Sequence, residues 1–293
     1  AVSSAMLVGS GSYRAALAQA TPPGDDYARP EALVDVAWLQ KNMDAPDLVT
    51  VGFMPVEEFN IAHIPGSARI AAPELEVIDT SDASIEQWQQ TTRQLLGDIG
   101  ISSASTVVVY DPGTLFAARL WWILHYFGHE NVHILDGGLP AWQEAGHEVE
   151  EGLAEAPAGS EPYQGTPNAD LLAQMDEVMA NLEVANAVIL DARKLEEYTE
   201  GHIPGAVNIN FPLNAAPEPP KFWKPASELK ALYEEAGVTP DKLVIPYCAS
   251  GVRSAVTAFS LHLIGYEQLA LYTGSWLEWG EDPDTPKTTG DQP

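Results

Sequence analysis

Short runs of aliphatic and β-branched residues recur along the chain, among them Leu48–Val51, Val107–Tyr110, Val188–Leu190 and Leu243–Ile245. Between them lie stretches with helical spacing of apolar positions, such as Leu115–Phe127 and Ser227–Ala236. Continuous apolar runs of this length fit strands buried on both faces, and their alternation with helices predicts a mainly parallel sheet flanked by helices. The expected fold class is α/β. Pro246 cannot donate a ladder hydrogen bond, so it is expected to mark where its strand leaves the sheet.

The pattern occurs twice. LVTVGFMPVEEFNIAHIPGSARI (48–70) aligns without a gap with AVILDARKLEEYTEGHIPGAVNI (187–209). Farther on, VVVYDPG aligns with VIPYCAS, His125 with His262, Gly128 with Gly265 and Trp142 with Trp279, at an offset changed by two residues. A period this long excludes stacked short repeats and points to duplication of a unit of roughly 120 residues. The segment EEGLAEAPAGSEPYQGTPNAD between the copies is rich in Pro, Gly, Ala and Glu and reads as a linker. The expected organisation is an N-terminal segment (1–26), a first domain (27–150), a linker (151–168) and a second domain (169–293).

Candidate chemistry concentrates at Cys248, the sole cysteine. It follows the apolar run LVIP and precedes a small-residue loop and a helical pattern from Ser254 to Leu263. Such a strand-loop-helix junction turns successive backbone N–H groups inward at a helix N-terminus, where they stabilise an anion. Arg253 adds a full positive charge. These surroundings favour a nucleophilic thiolate over an inert buried thiol. A single cysteine supports neither an internal disulfide nor a structural thiolate zinc site.

The segments VILDAR, GHIPGAVNI, YCASGVRSAV and GSWLEWGEDPDTP, in this order over residues 187–286, resemble the rhodanese sulfurtransferase family. The resemblance implies two tandem rhodanese-like domains and a persulfide carried on Cys248. It further implies a small-molecule sulfur donor, thiosulfate or 3-mercaptopyruvate, and an acceptor such as cyanide or a thiol. Loop residues Ala249, Ser250, Gly251, Val252 and Ser254 are expected to hold the sulfur anion with Arg253. No cofactor or metal is required. The spacing C-x4-R is shorter than the C-x5-R of phosphatases and arsenate reductases similar to rhodaneses, which argues for sulfur transfer over phosphate chemistry. A non-enzymatic persulfide carrier or redox module is the remaining alternative. In the first copy Asp111 stands in place of Cys248 and Phe116 in place of Arg253, so that copy is expected to be catalytically silent.

The donor turns on two positions. Ser250 resembles the small residue of mercaptopyruvate enzymes, but Glu197 stands where those enzymes place an arginine for the substrate carboxylate. Arg253 resembles bacterial thiosulfate enzymes. Thiosulfate is therefore the expected donor.

Forty-two acidic against 14 basic side chains give a net charge of −28. This disfavours nucleic acid and anionic membranes as partners, and it means an anionic substrate must be held by local donors. No apolar run approaches the ~18 residues of a membrane span. Ala18-Gln19-Ala20 reads as a signal-peptidase site, so a periplasmic or secreted location is expected, the alternative being a disordered N-terminal arm and a cytoplasmic location.

Asp191 and Arg193 are confined to the second copy and are expected either as a salt bridge or as support for the loop. His63 and His202 precede Ile-Pro-Gly in both copies, which favours a structural role. Gly128 interrupts His125, His129 and His133, so no metal site is expected there. Glu196 and Glu197 are adjacent and read as solvated surface, and Lys221, Trp223 and Lys224 as a surface patch.

Overall fold

A computed structural model describes residues 26–153 and 161–293 of the chain. The proposed signal-peptidase site at residues 18–20 and the centre of the linker lie outside the described residues. The first domain contains β1 (Leu33–Val34), α1 (Val36–Asn42), β2 (Leu48–Phe53), α2 (Val56–Ile61), β3 (Ala68–Ile70), α3 (Asp82–Asp98), β4 (Thr106–Tyr110), α4 (Ala117–Tyr126), β5 (Val132–Leu135) and α5 (Gly138–Glu144). The second repeats the plan with β6 (Leu172–Ala173), α6 (Met175–Asn181), β7 (Ala187–Asp191), α7 (Leu195–Glu200), β8 (Val207–Asn208), α8 (Ala226–Glu234), β9 (Leu243–Tyr247), α9 (Val252–Leu263), β10 (Leu271–Tyr272) and α10 (Ser275–Trp279).

All strand pairs are parallel, and the first sheet runs β1-β5-β4-β2-β3. In the second domain β8-β7-β9 and β10-β6 form separate ladders. A single parallel bridge from Val244 to Leu269 joins them, restoring the same order. Pro246 explains the gap. It lies inside β9, paired with Leu190, rather than at a point of departure from the sheet. On the other side Val244 makes the last ladder bonds, its N–H donating to the Gln268 carbonyl and its carbonyl accepting from the Ala270 N–H, and the next donor due from β9 is the missing N–H of Pro246. The corresponding strand of the first copy has Val109 there and pairs through it with Ile134.

The two domains meet along α4 and α9, the equivalent helices of the two copies. Trp121 packs edge-on to Phe259 with ring centroids 4.7 Å apart, and His125 meets His262 at 5.0 Å. One apolar core runs continuously through both domains. Glu278 of α10 accepts hydrogen bonds from the Thr80 backbone (2.6 Å) and hydroxyl (2.7 Å), tying the domains together a second time. None of the described helices is long and apolar enough to cross a membrane.

Candidate active site

The end of β9 delivers Cys248 into a loop that closes on α9. Gly251 takes φ +86°, a left-handed conformation that L side chains rarely adopt, and this turns its N–H back onto the Cys248 Sγ at 3.2 Å. The Ser254 hydroxyl lies 3.6 Å from the same sulfur. From behind, the Cys248 N–H donates to Ser275 Oγ at 3.1 Å, and the Cys248 carbonyl accepts from the Trp276 N–H at 3.0 Å. Ser275 holds φ +56° to do this, and its own hydroxyl donates to the Tyr272 carbonyl. The thiol is 1% exposed, whereas Ala249, Ser250, Val252 and Arg253 are half-buried around it. A sulfur atom so enclosed is reached through the loop mouth.

Arg253 lies in the first turn of α9, but its fork is engaged. Its two terminal nitrogens donate to Glu197 at 2.7 and 2.8 Å. This corrects the reading of Glu197 as solvated surface. The hydrogen bond from Arg253 holds the Glu197 carboxyl below its ordinary range, and the same bond raises Arg253 further. The Cys248 charge also acts on Arg253.

Asp191 and Arg193 form a buried pair, 0% and 2% exposed. The guanidinium binds both carboxylate oxygens and the Gly201 carbonyl, and it lies 4.5 Å from the ring of Trp276. The pair therefore braces Tyr247 and Trp276, which flank Cys248 in chain and space. His63 and His202 hold matching positions, each with Nδ1 2.9 Å from a carbonyl four residues earlier and each stacked on an aromatic ring. The Tyr110 and Tyr247 hydroxyls accept from Ile64 and Ile203 in the turn that follows. The His125, His129 and His133 rings diverge onto Trp121, Tyr163 and the Glu31 carbonyl. Trp223 is 4% exposed and packs on Phe259, so the expected surface patch is partly core.

The first domain shows what such a loop does with an anion. Asp111 Oδ1 accepts from the N–H groups of Gly113 (2.7 Å), Thr114 (2.6 Å) and Leu115 (3.2 Å), and Oδ2 accepts from Ala117 at 2.9 Å. Four amides converge on one carboxylate. A built-in anion fills this cradle, and Phe116 turns instead to Phe211 of the second domain.

Sequence reasoning missed two contributors. Ser275 carries no signal in its neighbourhood. Arg119 does: it is the one permanently charged residue in the otherwise apolar and aromatic run AARLWWILHY, a helix buried nearly all round. It is 1% exposed, and Nη1 lies 3.2 Å from where a Cβ on Gly251 would stand.

A thiol held by one loop amide and a serine hydroxyl at a helix start, on a duplicated parallel α/β unit, defines an anion-stabilising sulfur site. The Rhodanese-like domain model matches residues 35–145 and 174–282, and the chain belongs to that family. It is 32% identical over 271 residues to the thiosulfate sulfurtransferase of Azotobacter vinelandii, covering 89% of this chain and 98% of that one. It is equally 32% identical to the mitochondrial thiosulfate/3-mercaptopyruvate sulfurtransferase 1 of Arabidopsis thaliana, over 87% of this chain and 78% of that one. The crystal structure of the 3-mercaptopyruvate enzyme SseA from Escherichia coli superposes with a TM-score of 0.71 at 29% identity, covering 84% and 98%.

Proposed function

We propose that the protein is a thiosulfate sulfurtransferase with Cys248 as nucleophile. The observation that carries the reading is the Cys248 Sγ held by the Gly251 amide at 3.2 Å, with Arg253 in the first turn of the helix that follows and Arg119 Nη1 against Gly251. The thiolate attacks the outer sulfur of thiosulfate. A sulfur–sulfur bond forms to Cys248 as the donor's own sulfur–sulfur bond breaks, and sulfite leaves with the electron pair. Cyanide or a thiolate then attacks the outer sulfur of the persulfide and restores the Cys248 thiolate. Each half releases an anion and no external proton is needed. Dividing the transfer in this way gives ping-pong kinetics.

The donor choice rests on the positive charge available at the loop mouth. Arg253, once its fork exchanges Glu197 for the sulfonate, makes charge-assisted hydrogen bonds of the stronger kind. One observation favours 3-mercaptopyruvate as the second reading: Glu197 is neutralised by Arg253, so its repulsion of a substrate carboxylate is weaker than its sequence position implied. Steady-state kcat/KM with both donors decides. Thiosulfate is expected to lead; a tenfold excess for 3-mercaptopyruvate, about 1.4 kcal/mol of transition-state binding, overturns the assignment. Intact mass should rise by one sulfur atom on donor exposure and return with cyanide, and Cys248→Ser should do neither. Turnover without a protein partner separates the enzyme from a carrier.

A further inference from the structure

We propose that Arg119, which belongs to the silent domain, is a positioning residue for the sulfur anion at Cys248, so that the active site is charge-complete only with both domains present. The inference rests on the sulfurtransferase reading for its consequence, and on geometry for its substance.

Arg119 emerges from the first turn of α4 and is 1% exposed. Its Nη2 donates to the Leu75 carbonyl at 3.2 Å, and its guanidinium lies over the Trp122 ring at 5.1 Å. Its Nη1 is buried and has no hydrogen-bond partner among the described residues. A buried guanidinium with an idle donor is costly unless an opposite charge compensates it. Two groups act on it in that sense: the exposed Glu76 and the buried Cys248. Burial lowers the Arg119 pKa to about 10, which leaves it fully charged at neutral pH.

The approach of Nη1 to the loop depends on Gly251. A side chain there would place its Cβ 3.2 Å from Nη1 and 3.1 Å from the Thr273 carbonyl. Gly251 is thus fixed twice, by its positive φ and by the arginine behind it. Arg253 stands at the mouth with both terminal nitrogens on Glu197, whereas Arg119 faces the loop from the buried side with no carboxylate hydrogen-bonded to it. In water-poor surroundings its attraction is screened least. It can serve the thiolate and the persulfide alike, since the negative charge moves outward by only one sulfur–sulfur bond, about 2 Å. A donor anion need not touch it.

The test uses the full chain. Alkylation of Cys248 by iodoacetamide at pH 7 is followed in the wild type, Arg119→Met and Arg119→Lys, beside donor-driven sulfur loading by intact mass and near-ultraviolet circular dichroism to verify packing. Arg119→Met, which keeps the volume and removes the charge, is expected to alkylate and load at least tenfold more slowly. Arg119→Lys, which keeps the charge but not the fork, is expected to recover most of the loss. A folded Arg119→Met with wild-type rates overturns the proposal. The wild type provides a reading that needs no variant to fold: the Arg119 Nε–H resonance should shift when alkylation replaces the thiolate by a neutral thioether, and should shift far less when a persulfide replaces it. A resonance indifferent to alkylation overturns the proposal as well. Iodoacetamide is uncharged and bypasses the donor. Normal alkylation with failed loading in the wild type would therefore count against thiosulfate and leave Arg119 untouched.

Discussion

Replacing Asp111 by alanine should cost stability and spare chemistry. The Asp111 carboxylate accepts four backbone N–H bonds, and those of Leu115 and Ala117 lie in buried surroundings. Gly113 and Thr114 are half-buried, so water can replace the carboxylate there; it cannot at the other two. Leaving a buried donor unsatisfied costs about 1–3 kcal/mol, which for two donors gives about 2–6 kcal/mol. Release of the buried carboxylate to solvent offsets part of this, leaving about 3 kcal/mol. Because the core runs through both domains, the cooperative unit is large, and each kcal/mol moves the midpoint by about 2–4 °C. The thermal midpoint should therefore fall by roughly 6–12 °C. Asp111→Asn should fall by less, since its carbonyl keeps the Oδ1 bonds while its amide meets the Ala117 N–H donor to donor. Sulfur loading of Cys248 at 25 °C should stay within twofold of wild type in both. Calorimetry with parallel mass spectrometry measures the pair of outcomes. An unchanged midpoint would show that the four amides need no built-in anion, and lost loading in a folded variant would show that the first domain is not silent.

Arg253→Ala should raise the thiosulfate KM at least tenfold with a smaller effect on kcat, whereas Glu197→Gln, by freeing the fork, should lower it; equal KM values in all three proteins would remove Arg253 from donor binding. Glu197 has a lowered pKa because Arg253 donates to it, so their pairing is present above the ordinary carboxylate range and lost as pH falls through the lowered value. The KM advantage of Glu197→Gln should accordingly shrink in acid. His262 is pushed down to about 2 by burial, with His125 and Arg29 adding to the shift. Below about pH 6.5 the unfolded chain takes up a proton there and the folded one does not, so stability falls with pH by about 1.4 kcal/mol per unit. Between pH 7 and 5 the wild type should lose about 2 kcal/mol more than His262→Leu in urea titrations, and identical slopes would contradict the buried neutral imidazole.

The parts of the fold that were legible in the sequence are those fixed by local physics. Four apolar runs marked the central strands, and the ungapped block at 48–70 and 187–209 revealed the duplication. The two-residue strands β1, β6, β8 and β10 carry too few positions for any periodicity to show. Pro246 was placed at the wrong point because its missing donor faces only β10; the β7 side of the same strand stays paired to its end. At the site, Cys248, Gly251 and Arg253 announced themselves through residue type and spacing. Glu197 did not, because the contact that defines it joins α7 to α9 across 56 residues of chain. Ser275 was invisible for a similar reason: its role follows from a backbone angle of +56° that no neighbouring residue encodes.

Comparison of the two loops explains how duplication can leave one copy without the cysteine and still not make it dispensable. In both, a strand ends at a tyrosine whose hydroxyl accepts from the same turn, and the loop before the next helix then aims backbone N–H groups inward, four onto Asp111 in the first copy and that of Gly251 onto Cys248 in the second. The first loop fills that cradle with Asp111, an anion that can neither be displaced nor carry sulfur. The second leaves it to a sulfur whose charge must be stable both as thiolate and as persulfide. Such a site gains from a fixed cation that no solvent or substrate competes for, and α9 alone supplies only Arg253, which Glu197 already holds. The helix best placed to provide another is α4, because it packs on α9 and carries Arg119 Nη1 up to Gly251 at the start of that helix. Arg119 is there, buried, with one nitrogen unspent. A copy relieved of the nucleophile is thereby free to contribute charge, which ties the persistence of the first domain to the chemistry of the second.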